Sequence, residues 1–358
     1  MISGNVISAS VAAIAVAFAI FQVQPAPPQS PLLYQWETIG AHRTLFDNKF
    51  NIFYKDVKGS ANNGEVVVVL HGFPTSSFDF YLVLNGLRKT FDRVVFVDFL
   101  GFGFSDKPRG HTYSIVEQAN IVEHVLSVLE VNEFHLLAHD YGDTVAQELL
   151  ARQFSDGDAT AGSVRRWRAK SAALLNGGLF PSTHWPTWAQ HLLRAPLLGP
   201  VFARFANRWM FGISINQVLG ENQLSILDLK QMWFLARLND GYRAWPRILS
   251  YIDERQTFET RWTDALQRAK IPICVFHGPA DPVNPAPNFA DHYKNVIPQP
   301  CIEMLPESVG HYPQLEAPEL LMERYVRFLR RRARVVVDEA QVKVIVPEKL
   351  PSPGPITE

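Results

Sequence analysis

Leu136-Leu137-Ala138-His139-Asp140-Tyr141-Gly142 is the point at which this sequence changes period. A short apolar run, Phe134 to Leu137, ends there, and a helix-like segment, Asp143 to Arg152, begins directly after it. Ala138 and Gly142 flank Asp140 at minus two and plus two. A strand that turns sharply into a helix needs small neighbours, because the turn is tight and its central residue is strained. That is the layout of a nucleophile elbow, with a carboxylate in place of the usual hydroxyl. A carboxylate nucleophile points away from ordinary esterase chemistry and towards an alkyl-ester intermediate on the enzyme.

Outward from the elbow, short apolar or β-branched runs recur: Glu65 to Leu70, Arg93 to Val97, Ala172 to Leu175, Ile273 to Phe276 and Ile302 to Leu305. Runs of this kind suit parallel strands buried on both faces. Helical patterns such as Ile115 to Leu129 lie between them, and the alternation predicts a doubly wound, mostly parallel α/β sheet. Trp36 to Val57 reads as an opening antiparallel hairpin. From Pro181 to about Thr263 no strand pattern occurs, while Leu227 to Leu238 and Ala244 to Ile252 have helical spacing. The expected division is a core over 35–180 and 264–334, an inserted helical cap over 181–263, and a loose tail over 335–358. The arginines 330, 331, 332 and 334 read as a solvated helix end, with an anionic-lipid contact as the alternative.

At 358 residues, 47% hydrophobic and 19% charged, the chain can bury a large globular core. A formal net charge of -1 speaks against a nucleic-acid partner. Cys274 and Cys301 lie in or beside apolar runs and read as buried small hydrophobes rather than a disulfide. The eleven histidines form no H-E-x-x-H or Cys/His cluster, so neither a metal nor a cofactor is expected. The first 36 residues carry no charged side chain, and Val6 to Val23 is broken only by Ser8, Ser10 and Gln22. That length suffices to span a bilayer, and the basic n-region of a cleaved signal is missing. Residues 1–34 therefore read as an apolar membrane anchor followed by a stiff Pro-rich spacer, Pro25 to Pro31.

A nucleophile on such an elbow needs a base, an acid to orient the base and an oxyanion hole. Asp281 follows the run Val275-Phe276, and His311 follows the last strand-like run, so the order Asp140, Asp281, His311 fits. Asn176-Gly177-Gly178, after the run ending at Leu175, holds no carboxylate and removes the common alternative place for the acid. His71-Gly72-Phe73-Pro74 follows a strand, and the N–H groups of Phe73 and Tyr141 are the expected oxyanion donors. His71, His139 and His277 are expected to be structural, bonding backbone around the site, and Asp106 and Lys107 to form a local surface pair. Trp185, Trp188, Trp233 and Trp245 suit either an apolar substrate pocket or core packing.

His71-Gly72-Phe73-Pro74, Asp98 to Pro108, His139-Asp140-Tyr141-Gly142 and Gly310-His311 together resemble the α/β-hydrolase superfamily, in the branch that holds epoxide hydrolases and haloalkane dehalogenases. The resemblance spans about Gln35 to Arg330 and extends to hydrolases of the endoplasmic reticulum membrane that share an apolar N-terminus. It implies that Asp140 attacks carbon and that His311, oriented by Asp281, activates water against the resulting ester. Dehalogenases of the branch carry Trp after the nucleophile and often Asn after the oxyanion glycine. Here Tyr141 and Phe73 stand there, so halide release is disfavoured. Epoxide opening needs a cap donor, for which Tyr251 is the better candidate and Tyr242 the second. Asp143 stands where such relatives have a small neutral residue, and its charge would oppose that of Asp140. The expected protein is a membrane-associated hydrolase of an epoxide or another small lipophilic substrate. The alternatives are an ester or lipid hydrolase of the same fold, or a catalytically silent protein that binds a lipid or a partner. The oligomeric state stays open.

Overall fold

The computed structural model describes Val16, residues 27–154 and residues 166–337. The expected anchor over Val6 to Val23 lies, Val16 apart, outside the described residues, as does the tail from residue 338. Among the described residues no helix is long and apolar enough to cross a membrane.

Eight strands form one sheet in the order β1-β2-β4-β3-β5-β6-β7-β8. They are β1 Ala41–Phe46, β2 Phe50–Lys58, β3 Val66–Leu70, β4 Arg93–Val97, β5 Glu133–His139, β6 Arg168–Leu175, β7 Ile273–His277 and β8 Ile302–Met304. The hairpin β1–β2 and the β2–β4 pair are antiparallel, and every other pair is parallel. Side chains of a strand alternate between faces, so Val68 and Leu70 enter one hydrophobic core while Val67 and Val69 enter the other. Burial on both faces is what the uninterrupted apolar runs required. The nucleophile, acid and histidine candidates sit in loops just beyond β5, β7 and β8, where ligands bind in open parallel sheets.

Several elements differ from the sequence reading. The helix after the elbow spans Tyr141–Phe154, so it starts two residues earlier and leaves Asp140 directly at its N-terminus. The segment Ala244 to Ile252 is not one helix but two, Trp245–Ile248 and Tyr251–Thr257. Pro246 is accommodated in the first turn of the former, where its missing N–H costs nothing. The helix Glu259–Arg268 runs through the expected cap boundary at residue 263. The end of the expected spacer is a helix, Pro31–Thr38, whose N-cap Ser30 accepts from the Leu33 N–H and which buries Leu33 and Trp36. Val335 and Val337 are buried and Asn63 donates to the Val336 carbonyl, so the tail begins packed against the body rather than loose.

Cys274 and Cys301 form a disulfide, with Cα atoms 4.6 Å apart. The sequence separation of 27 gives no hint of this. The parallel pairing of β7 with β8 places Val275 opposite Ile302, and thereby makes the two preceding cysteines cross-strand neighbours.

Candidate active site

Asp140 has φ 49°, the left-handed backbone that a nucleophile elbow imposes on a residue other than glycine. A Cβ on Gly142 would come 2.6 Å from the Leu70 carbonyl oxygen and 2.8 Å from that of His71. A Cβ on Gly72 would come 2.6 Å from His139 Nδ1. The elbow and the loop after β3 therefore touch backbone to backbone, which sets Asp140 against the Phe73 N–H.

That contact is made: the Phe73 N–H donates to Asp140 Oδ2 at 2.9 Å. Among the described residues the Tyr141 N–H makes no hydrogen bond to the carboxylate, and its ring packs on Phe99, Phe102 and Tyr251. Asp140 Oδ1 faces His311 Nε2 at 3.9 Å and Arg255 Nη2 at 4.0 Å. His311 Nδ1–H donates to Asp281 Oδ2 at 2.9 Å. Asp281 also accepts from the Val283 N–H, Asn176 Nδ2 and Asn284 Nδ2 at 2.8, 3.0 and 3.2 Å. The His311 loop is pinned by the largely buried Glu316, which accepts the N–H groups of Gly220, Gly310 and Tyr312. Asp140, Asp281, His311 and the Phe73 amide thus come together from loops after four strands.

The charges are distributed unevenly. Burial alone would raise the Asp140 pKa, but His311, Arg255, His139 and the Phe73 N–H outweigh it and hold the carboxyl below its usual value. Burial would lower that of His311, yet Asp281, its hydrogen bond and Asp140 push it up to about 9. Asp281 is held well below the usual carboxylate range, because His311 and its amide partners overcome burial. Asp143 is fully buried, and burial together with the Asp140 charge pushes its pKa well up. Both effects disfavour its charged form, which weakens the repulsion expected between Asp143 and Asp140. Accordingly Asp143→Asn, which replaces a buried carboxyl whose charged form is already disfavoured, should leave kcat/KM within about threefold, under about 1 kcal/mol. A loss of several hundredfold, measured on substrate turnover, would contradict this.

His71 and His139 act as expected. The His71 Nε2 accepts from the Phe99 N–H, and His139 Nε2–H donates to the His311 carbonyl at 2.8 Å. His277 differs: neither ring nitrogen has a hydrogen-bond partner among the described residues, and the ring stacks on Phe289. Asp106 and Lys107 do not pair. Asp106 accepts from the Asn51 N–H, and Lys107 turns inward onto the Gly103 and Ser105 carbonyls. Asp98 pins its own loop by accepting from the N–H groups of Ser77 and Phe104.

Between this cluster and the cap lies a cavity of about 80 Å³, bordered by Phe73, Asp140, Leu193, Phe202, Trp245 and His311 among others. Of the four candidate tryptophans, Trp245 borders it, Trp233 packs behind Trp245, and Trp185 and Trp188 are exposed. Neither candidate tyrosine borders the cavity. Tyr251 lies one ring behind it, against Phe73 and Tyr141, with a buried hydroxyl that has no partner among the described residues. Tyr242 packs on Trp233 and Trp245, and its hydroxyl accepts from Arg243, away from Asp140. No group of metal-ligating side chains occurs among the described residues.

Two parts of the cluster were missed in the sequence. Asn176 was noticed only as a missing carboxylate, although its amide holds the acid from that very position. Arg255 was not singled out at all. It is buried, donates from Nε to Thr144 Oγ1 at 2.9 Å, lies beside His184, and places its guanidinium carbon 4.6 Å from the Tyr251 ring centroid. The available signal was its i,i+4 spacing from Tyr251, which puts both on one helical face.

Comparison with known proteins gives a consistent picture. A model of the alpha/beta hydrolase family matches residues 67–324. The mesoderm-specific transcript homolog protein of Bos taurus is 43% identical over 309 residues, covering 85% of this chain and 90% of that one. The putative hydrolase LipZ of Mycobacterium tuberculosis is 36% identical over 274 residues, covering 76% of this chain and 91% of that one. Among solved structures, the epoxide hydrolase CorEH superposes with a TM-score of 0.64 at 16% identity, over 81% of this chain and 98% of that one, which speaks to the fold alone.

Proposed function

The chain belongs to the alpha/beta hydrolase family, and from that premise we propose that it is a membrane-associated hydrolase of epoxides or similarly electrophilic small lipophilic molecules, with Asp140 as nucleophile. The observation that carries this reading is the split carboxylate. The Phe73 N–H engages Oδ2, which leaves Oδ1 towards His311 in an apolar cavity.

In this mechanism Asp140 Oδ1 attacks a ring carbon, the carbon–oxygen bond of the epoxide breaks, and its electron pair stays on the leaving oxygen. That alkoxide takes a proton from a site acid, for which we propose the Tyr251 hydroxyl, relayed through a water because Tyr251 lies one ring behind the cavity. Ester formation removes the Asp140 charge, one of those that keep His311 protonated, so the His311 pKa falls and it becomes a base. Neutral His311 then takes a proton from water, and the hydroxide attacks the Asp140 carbonyl carbon. The negative charge that develops on Oδ2 is stabilised by the Phe73 N–H. Breakage of the bond between that carbon and Oδ1 leaves the electron pair on Oδ1, which takes the proton back from His311. The diol carries Oδ1 away, water supplies the replacement oxygen, and the proton released as the Asp140 carboxyl ionises restores the Tyr251 hydroxyl. An epoxide keeps its leaving oxygen attached, so no halide site is needed where Tyr141 and Phe73 stand.

The test is a panel of epoxides and esters in ¹⁸O-labelled water under single turnover. Diol formation with label in the peptide carrying Asp140, slowed by Tyr251→Phe, is expected. No turnover of any epoxide and no label would overturn the reading, and ester hydrolysis surviving Asp140→Asn would favour an ester hydrolase of the same fold. The disulfide further supports a body in an oxidising compartment, here the lumenal side of the endoplasmic reticulum. Digestion by protease added outside intact microsomes would disprove that placement.

A further inference from the structure

The outer face of the cap is unlike the rest of the surface. Nine of the eighteen exposed large apolar residues among the described ones fall between residues 185 and 227. Trp188, Leu197, Leu198, Val201, Phe205 and Trp209 form its central ridge, with Leu197 86% and Trp209 74% exposed. From Pro181 to Gly220 the sequence holds no aspartate or glutamate, while Arg194, Arg204 and Arg208 lie along the ridge. Arg194 is partly neutralised by Asp253 at 2.5 Å. Exposed tryptophan and aliphatic side chains interleaved with arginine, in a stretch of chain that holds no acid of its own, are what a lipid–water interface selects.

The same helices border the cavity from inside. Leu198–Phe205 turns Phe202 inward and Val201 and Phe205 outward, and Arg208–Asn216 turns Met210 inward and Trp209 outward. Trp188 lies edge-on to Phe202 at 6.2 Å. One layer of side chains thus separates the ridge from the cavity.

The course of the chain adds an independent argument. The Ser30 N–H donates to Gln231 Oε1 at 3.0 Å, on the cap helix Ile226–Arg237, so the N-terminal residues join the described body at the cap. That helix packs on Arg208–Asn216. Seven residues lead from Val23, the end of the apolar stretch, to Ser30, and they reach at most about 25 Å. A membrane-embedded Val6 to Val23 therefore holds the cap, and not the opposite end of the sheet, within that distance of the bilayer.

We propose that the ridge docks on a bilayer containing anionic lipid, with the cap as the port through which lipophilic substrate passes from the membrane to Asp140. This rests on the membrane-associated reading above and specifies which face meets the lipid. The chain has only the two disulfide-bonded cysteines, so one added cysteine can be labelled selectively. The full chain with an environment-sensitive fluorophore at Val201→Cys is mixed with phosphatidylcholine–phosphatidylserine vesicles carrying brominated acyl chains. A second protein carries the probe at Glu323→Cys on the helix Pro318–Arg331.

Blue-shifted, bromine-quenched emission at position 201 and not at 323 is the expected result. Flotation with the vesicles without quenching at 201 would leave the anchored reading standing and overturn docking. Failure to float would overturn both. A probe at 201 already shielded without lipid would also overturn docking: shielding independent of protein concentration assigns the ridge to the chain's own N-terminal segment, and shielding that grows with it assigns the ridge to a second copy. The functional counterpart is the double variant Val201→Glu, Trp209→Glu. Its KM for a long-chain epoxide presented in vesicles should rise roughly tenfold or more, while turnover of a water-soluble epoxide is retained. An unchanged vesicle KM would refute the port.

Discussion

His311→Gln should convert the protein into one that alkylates itself once and stops. The substitution removes the base of the second step and leaves the Phe73 N–H on Asp140 Oδ2 and Arg255 near Oδ1. Loss of a general base is worth about 10²–10⁴-fold, so turnover should fall to the lower end of detection while one equivalent of substrate is consumed. Intact-mass measurement should show an adduct equal to the substrate mass, and peptide mapping should place it on Asp140. The retained mass also reports the substrate class, since an epoxide adds its whole formula whereas a displaced leaving group does not. An unmodified Asp140 in a variant that still binds substrate would remove the ester mechanism. Retained turnover would remove His311 from the base role.

Arg255→Gln should be the most damaging change outside Asp140 and His311. At 4.0 Å and an effective dielectric constant of about 20, a guanidinium and a carboxylate interact by about 4 kcal/mol. Arg255 is one of the groups that hold the Asp140 pKa below its usual value against burial, so its removal must raise that pKa. The proposed ester mechanism requires the ionised form of Asp140. The acid limb of the pH–rate profile should therefore move to higher pH, and kcat/KM at neutral pH should drop about 10²–10³-fold. Removing one partner of a buried pair also lowers stability, so the melting temperature should be followed in parallel. A lower melting temperature with the acid limb unmoved would assign Arg255 a packing role through Thr144 and Tyr251 only.

Much of this architecture was legible in the residues. Arg93 to Val97 is a strand with the expected bounds, and the other apolar runs shift by only a few residues, because a strand buried on both faces must be continuously apolar. The elbow was legible because the constraint is local: Gly142 stands where a single Cβ would collide with the neighbouring loop. The placement of Asp140, Asp281 and His311 in loops was legible because each lies just past a strand whose apolar pattern marks its end.

The remainder depended on atoms far apart in the chain. Cys274 and Cys301 looked like ordinary apolar residues until strand pairing made them neighbours. Asp143 looked like a competing anion, because a sequence records a carboxyl group but not its desolvation. Its complete burial, together with the Asp140 charge beside it, pushes its pKa well up. Arg255, 115 residues from Asp140, entered the site through the folding of the cap onto the elbow helix. The sequence by itself determined the strand–helix alternation, the elbow and the chain positions of Asp140, Asp281 and His311 just past strands, because those follow from periodicity and steric limits within a few residues. Tertiary structure alone decided in which direction the buried carboxyl groups shift and which cap residues meet Asp140, because desolvation and Coulomb interactions depend on distances through space.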